Sequence, residues 1–424
     1  MSELSAELQW RGLVHQMTDP ELPKLLDHDS LTFYAGFDPT ADSLHVGSLL
    51  QLCTMRRVQE AGHRPIALVG GGTGLIGDPS GKEDERALPD AERLEANREA
   101  IRGQLERFID FTDGHGLLLD NAGWLRAYPL TDFLRDVGKH FSVNEMIRKE
   151  SVRSRLEGRE HGISFTEFSY MLLQAYDFLH LFDHHGCRLQ LGGSDQWGNI
   201  TEGVDLIRRL RGGQAYGLTS PLILKADGTK FGKTETGTVW LDPARTSPYR
   251  FFQYWVRTDD HEVGMLLRFF TWLPPERVQE LDDETAARPD RREAHRVLAR
   301  SVTALVHGEA QAAAAERAAQ VLFTEDIAGL DEPTLLEVFA DAPSSTRPRA
   351  DLEGEGLPLV DALVGAGLAP SKSAARTLVR QKGASVNNRV EEDEARRLGA
   401  EDLLCGGYLV LRKGRRDHHL VRFR

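Results

Sequence analysis

Leu31-Thr32-Phe33-Tyr34-Ala35-Gly36-Phe37 is a short, almost unbroken apolar run, and Asp38-Pro39-Thr40 ends it abruptly. Such a run reads as a strand buried on both faces. A helical pattern follows from about Leu44 to Ala61, and Pro65-Ile66-Ala67-Leu68-Val69 is a second buried strand closed by Gly70-Gly71-Gly72. Strand, helix and strand with continuous apolar strands imply a parallel sheet covered by helices. Ligands in such folds sit beyond the carboxyl ends of the strands. The turn Pro39–Ser48 lies at such an end. The helix start there offers free N–H groups and a positive dipole end, which suit phosphate.

The same alternation continues outward. Residues 91–112 form an amphipathic helix with Leu94, Ile101, Leu105, Phe108 and Ile109 on one face. Leu117–Leu119, Arg188–Leu191 and Pro221–Leu224 read as further buried strands. From Ser247 to about Ala340 the pattern is helical and strand signals vanish. Residues 341–356 are rich in Pro, Ser, Gly and charge and read as a linker. A compact unit follows from Leu357 to the end.

The chain has 424 residues, 40% hydrophobic and 28% charged, as expected of two or three soluble domains. No apolar run reaches the roughly 18 residues of a membrane span. Met1-Ser2-Glu3-Leu4-Ser5 lacks the basic and apolar regions of a secretory signal. Cys53, Cys187 and Cys405 are dispersed and odd in number, so a disulfide framework or zinc site is not indicated and a reducing cytoplasm is expected. The net charge is -13, yet Ser371–Arg424 holds thirteen basic and seven acidic residues. A basic tail on an acidic body suggests that the tail meets phosphate backbones.

Gly72-Thr73-Gly74-Leu75-Ile76-Gly77 matches the dinucleotide fingerprint G-x-G-x-x-G, but Asp78-Pro79-Ser80-Gly81-Lys82 and a charged loop follow instead of a return strand with an acidic ribose partner. A nicotinamide enzyme is therefore disfavoured. Gly77–Lys82 is one residue short of a phosphate loop, and Glu83 follows Lys82.

Two segments fit nucleotide chemistry together. Thr40 and His45 can donate to phosphate oxygens at the helix start, and Gly47 leaves room for a flat ring. Lys230-Phe231-Gly232-Lys233-Thr234 places two lysines three apart on a Gly/Thr-rich loop, suited to a departing pyrophosphate. These segments resemble the His-Ile-Gly-His and Lys-Met-Ser-Lys-Ser signatures of class I aminoacyl-tRNA synthetases. The flanking words Tyr34–Thr40, Gly77–Lys82, Leu191–Asn199 and Lys225–Thr234 are similar to those of the bacterial tyrosyl family, in the same order along essentially the whole chain.

The resemblance implies an α/β fold: a Rossmann-like parallel-sheet catalytic domain (1–246), a helical anticodon-side domain (247–340), a linker (341–356) and a small α+β RNA-binding domain (357–424). It implies activation of tyrosine by ATP, accompanied by Mg²⁺ without a tightly bound protein-ligated metal, and transfer to tRNA-Tyr. Thr40, His45, Lys82, Arg86, Lys230 and Lys233 would stabilise the leaving phosphates. Gly36, Asp38, Gly47, Ser48, Gly192, Asp195 and Thr234 would line the nucleotide. On the helix at Phe165–His180, Tyr170, Gln174 and Asp177 share one face. The resemblance assigns Tyr170, Gln174 and Asp78 to the α-amino group of tyrosine, and Asp177 and Tyr34 to its phenol, with Gln190 and Gln196 completing the pocket. The first signature departs at Ser48, where relatives carry a second histidine, and Ala35 and Gln51 also depart on the nucleotide side.

Ala369–Arg376 and Val386-Asn387-Asn388 resemble the small RNA-binding fold of a ribosomal small-subunit protein. Lys372, Arg376 and Arg380 lie four apart on one helical face there, suited to phosphates. The family also implies a homodimer. The competing readings are a non-catalytic RNA-binding relative, which predicts decay of His45, Asp78, Asp177, Lys230 and Lys233, and a tryptophanyl enzyme, which the Tyr34–Asp177 pair suits less well.

Overall fold

The computed structural model describes residues 3–79, 91–157, 163–223, 231–234, 237–321, 327–340, 342–414 and 417–424. Six strands form the first sheet: β1 (Gln16–Met17), β2 (Thr32–Phe37), β3 (Arg64–Val69), β4 (Leu117–Asp120), β5 (Cys187–Gly193) and β6 (Tyr216–Ser220). Their order is β1-β6-β5-β2-β3-β4, and only the short edge strand β1 runs antiparallel. From β2 the chain winds outward to β3 and β4, then returns to β5 and β6 on the other side. The order therefore switches between β2 and β5, where a crevice opens beyond the strand ends. Phe33, Ile66, Val69 and Leu189 are fully buried in this sheet, each stabilising the fold by about 1.5–3 kcal/mol.

Two helices bear on the site. Val46–Glu60 follows β2. Phe165–His185 starts at Ser164, whose hydroxyl accepts from the Glu167 N–H at 3.2 Å. It packs against the helix Trp197–Arg211 that follows β5.

The structure departs from the sequence reading in four places. The last parallel strand is Tyr216–Ser220 rather than Pro221–Leu224. Pro221 has no N–H to give the ladder, which stops before it. The helix expected over 91–112 ends at Leu105. The helical stretch after 246 does not cohere as one unit: residues 258–298 cluster with 1–246, and 247–257 cluster with 299–424. Two buried arginines account for the first grouping. Arg11 donates to the carbonyls of Arg268, Thr271 and Leu273, and Arg57 to that of Phe269, at the end of the helix Val263–Phe270. Finally, the expected linker carries the strand Ser344–Arg347, which pairs parallel with Asp417–Phe423.

In the second unit, that strand edges a five-stranded sheet whose other members are Arg389–Glu391, Ala384–Val386, Tyr408–Lys413 and Asp417–Phe423. One core joins Leu409, Leu411, Val421 and Phe423 to the helices Leu359–Gly365 and Lys372–Arg380. A second core joins Val410 and Leu420 to Leu335 and Phe339. No helix among the described residues is long and apolar enough to cross a membrane.

Candidate active site

The crevice between β2 and β5 gathers most of the residues expected to act. Tyr34 on β2 and Gln190 on β5 are cross-strand partners, so their side chains share a face. Both are buried, and Tyr34 Oη and Gln190 Oε1 have no hydrogen-bond partner among the described residues. Buried polar atoms are nearly always paired, so two adjacent orphans mark a place for a polar ligand group. Burial and the nearby Asp177 charge hold the Tyr34 phenol well above its ordinary pKa, so it stays a neutral donor.

Asp177 is 2% exposed. Its Oδ1 accepts from Trp124 Nε1 at 2.7 Å and its Oδ2 from Asn121 Nδ2 at 2.9 Å. Burial pushes its pKa up to about 7, and these two N–H donors oppose that rise. The folded pKa lies above the unfolded one, so the stability this carboxyl contributes is fully present below about pH 4 and is lost as pH rises through about 7.

Further out, Tyr170 Oη donates to Asp38 Oδ2 at 2.8 Å. Gln196 Nε2 donates to Asp78 Oδ2 at 2.6 Å, and Asn199 Nδ2 donates to Gln174 Oε1 at 2.8 Å and to Gln196 Oε1 at 3.3 Å. This side of the crevice is thus rich in paired polar groups over an apolar floor that includes Phe178, whose ring centroid lies 5.2 Å from that of Tyr34.

The residues expected on the nucleotide cluster at the start of the helix Val46–Glu60. His45 is its exposed N-cap residue, and Thr40 is exposed in the preceding turn. A Cβ at Gly47 would fall 2.8 Å from His45 Cε1, so only glycine leaves the imidazole room there. Ser48 is half-buried, with its N–H donating to the His45 carbonyl at 2.8 Å. Gly36 is exposed with open space around it, while Gly192 lies on β5 and Asp195 in the 3-10 turn Ser194–Gln196 that follows. Residues 239–241 stitch the two signatures together. Val46 N–H donates to the Val239 carbonyl at 3.0 Å, and Val239 N–H donates to the Gly232 carbonyl at 2.9 Å. Lys82, Arg86 and Lys230 lie outside the described residues, and of Lys233 and Thr234 only the backbone is described. Ala35 points to the opposite face of β2 from Tyr34, and Gln51 Nε2 is buried without a partner among the described residues.

Sequence reasoning missed Asn121, Trp124, Thr73 and gave no role to Asn199. Thr73 opens a 3-10 turn just past β3, and Asn121 and Trp124 cap and belong to the short helix Ala122–Leu125 just past β4, where the fold rule alone points to ligand contacts. In the second unit the basic stripe is partly spent: Lys372 pairs with Asp361 at 2.7 Å and Arg380 with Glu394 at 2.7 Å, while Arg376 is exposed.

A parallel sheet that switches direction at this crevice, with a His-x-Gly helix start and a buried carboxylate at Asp177, defines a class I aminoacyl-tRNA synthetase. Residues 26–324 match the model of tRNA synthetases class I (W and Y), and residues 336–421 match the tyrosine–tRNA ligase SYY-like C-terminal domain. The tyrosine–tRNA ligase of Roseiflexus castenholzii is 57% identical, with 100% of both chains covered, and that of Geobacillus stearothermophilus is 52% identical over 99% of this chain and 100% of that one. A C-terminally truncated mitochondrial tyrosyl-tRNA synthetase from Aspergillus nidulans superimposes with a TM-score of 0.68 at 30% identity, covering 76% of this chain and 95% of the other. The chain belongs to the tyrosyl-tRNA synthetase family.

Proposed function

We propose that this chain, as a tyrosine–tRNA ligase, selects its amino acid by the phenol hydroxyl and activates it by positioning and charge rather than by a base. The hydroxyl is taken to donate to Asp177 and accept from Tyr34. What carries this reading is the buried Tyr34 hydroxyl left without a partner beside the Asp177 carboxylate. Asp78, Tyr170 and Gln174 hold the α-amino group, and Gln190 and Gln196 close the pocket. The tyrosine carboxylate, already an anion, attacks the α-phosphorus of ATP and pyrophosphate leaves. Thr40, His45, Lys82, Arg86, Lys230 and Lys233 stabilise the phosphate charge as it develops. Gly36, Asp38, Gly47, Ser48, Gly192, Asp195 and Thr234 line the nucleotide. ATP enters with Mg²⁺ carried on its phosphates. The terminal ribose hydroxyl of the tRNA then attacks the adenylate carbonyl and AMP leaves. The basic C-terminal unit, through Arg376 with Lys372 and Arg380, meets the tRNA backbone, and the reaction belongs in the cytoplasm.

The pocket reading is tested by pH. An ionised Asp177 accepts the phenol proton, so tyrosine affinity falls as pH drops below about 7. Trp124→Phe removes one N–H donor to that carboxylate. The midpoint of the affinity profile is then expected to move up by about one to two pH units, since a hydrogen bond to a charge is worth roughly 1.5–3 kcal/mol. Equilibrium tyrosine binding from pH 5.5 to 9 measures it, and an unmoved midpoint would exclude Asp177 as the titrating group.

The chain is taken to act as a homodimer. Support comes from the large apolar side chains exposed on the catalytic unit, with Phe165 77%, Leu130 71% and Val143 56% exposed. Exposed apolar surface of this kind marks an interaction face. Phe165→Asp is expected to convert the sedimenting species from dimer to monomer; a dimer that persists would place the interface elsewhere.

A further inference from the structure

The glycine-rich segment that closes β3, Gly70-Gly71-Gly72, runs into the failed dinucleotide fingerprint Gly72–Gly77, and its residues 70–74 have no part in the scheme above. In the structure it frames a buried hydrogen-bond path between the two ends of the pocket. Asn121 Nδ2 donates to Asp177 Oδ2 at 2.9 Å and reaches Thr73 Oγ1 at 3.0 Å. Thr73 Oγ1 donates to Asp38 Oδ1 at 2.7 Å, and the other oxygen of Asp38 accepts from Tyr170. Asn121 is locked from its other end, where Oδ1 accepts from the Gly72 N–H at 2.7 Å. Thr73 and Asn121 are 2% and 1% exposed.

The glycines clear this path. A Cβ at Gly70 would stand 2.0 Å from Asp38 Oδ1 and 2.5 Å from Thr73 Oγ1. A threonine hydroxyl has one proton to give. Thr73 spends it on Asp38 and accepts from Asn121, so its orientation is fixed from both sides. In a buried, low-dielectric setting such chained bonds reinforce one another.

We propose that Thr73 is a positioning residue that couples recognition of the phenol hydroxyl at Asp177 to the placement of Asp38 on the nucleotide side. This rests on the pocket reading given above. A substrate hydroxyl on Asp177 adds a bond at one end of this chain and, through Asn121 and the Thr73 hydroxyl, strengthens the hold on Asp38 at the other. Phenylalanine adds no such bond. Selection for tyrosine is therefore expressed in the use of ATP as well as in amino-acid binding, and the coupling is reciprocal.

The test is amino-acid-dependent exchange of pyrophosphate into ATP, with tyrosine and with phenylalanine, for the native chain and for Thr73→Val, Thr73→Ser and Asp177→Asn. Valine matches threonine in shape and lacks only the hydroxyl. Melting temperatures are taken in parallel. Thr73→Val is expected to lower kcat/KM for tyrosine about five- to tenfold, to raise the KM for ATP when tyrosine is the substrate, and to leave phenylalanine nearly unchanged. Thr73→Ser is expected to restore the native ratio. An equal loss for both amino acids, or an unchanged ratio in Thr73→Val while Asp177→Asn collapses it, overturns the coupling and leaves the pocket reading standing. An unchanged ratio in Asp177→Asn overturns the pocket reading and the coupling with it.

Discussion

Asp177→Asn is expected to lower kcat/KM for tyrosine by about 10²–10⁴ while costing phenylalanine far less. Two losses add. The phenol gives up a hydrogen bond to a charged acceptor, worth roughly 1.5–3 kcal/mol. In addition, two N–H donors, Asn121 Nδ2 and Trp124 Nε1, converge on the carboxylate. Asparagine offers them one oxygen and one NH₂, so one donor is left facing a donor in a buried site, at a further cost of about 1–3 kcal/mol. Steady-state exchange kinetics with both amino acids measure the effect. Equal losses for the two would mean that Asp177 supports the pocket without reading the hydroxyl.

His45→Ala is expected to lower kcat for adenylate formation by about 10²–10³, the range for removing one donor to a developing anion, with tyrosine binding unchanged. The imidazole sits at the N-cap of the helix Val46–Glu60, against Gly47 and 6.1 Å from the Trp240 ring. An interaction made only as charge builds on the leaving phosphates lowers kcat and kcat/KM together. Single-turnover formation of the adenylate, set beside equilibrium tyrosine binding, separates the two. A tyrosine affinity that falls as far as the rate would place His45 in ground-state binding.

The parallel strands were legible because continuous apolar runs bounded by glycine and proline have few other meanings. Leu31–Phe37 and Pro65–Val69 fall within a residue of β2 and β3. Tyr216–Ser220 was missed because Tyr216-Gly217-Leu218-Thr219-Ser220 is fully buried yet half polar or small, so its pattern carries no apolar signal. Pro221-Leu222-Ile223-Leu224 has that signal without the N–H the ladder needs first. The strand Ser344–Arg347 was hidden for a related reason. It alternates exposed and half-buried residues at a sheet edge, and edge strands need little apolar content.

The site divides in the same way. His45, Asp78 and Asp177 stand in words whose order along the chain is itself a signature. Asn121 and Trp124 do not, because their role is defined by a carboxylate more than fifty residues away in sequence. Thr73 was read inside a fingerprint that failed, and only the structure brings its hydroxyl between Asn121 and Asp38.

The central claim is that this crevice activates the amino acid whose hydroxyl meets Asp177 and Tyr34. Exchange of labelled pyrophosphate into ATP, run on the native chain with tyrosine, phenylalanine, tryptophan and no amino acid, tests it most directly. Exchange with tyrosine alone is the predicted result. Exchange driven equally by phenylalanine or tryptophan would contradict it.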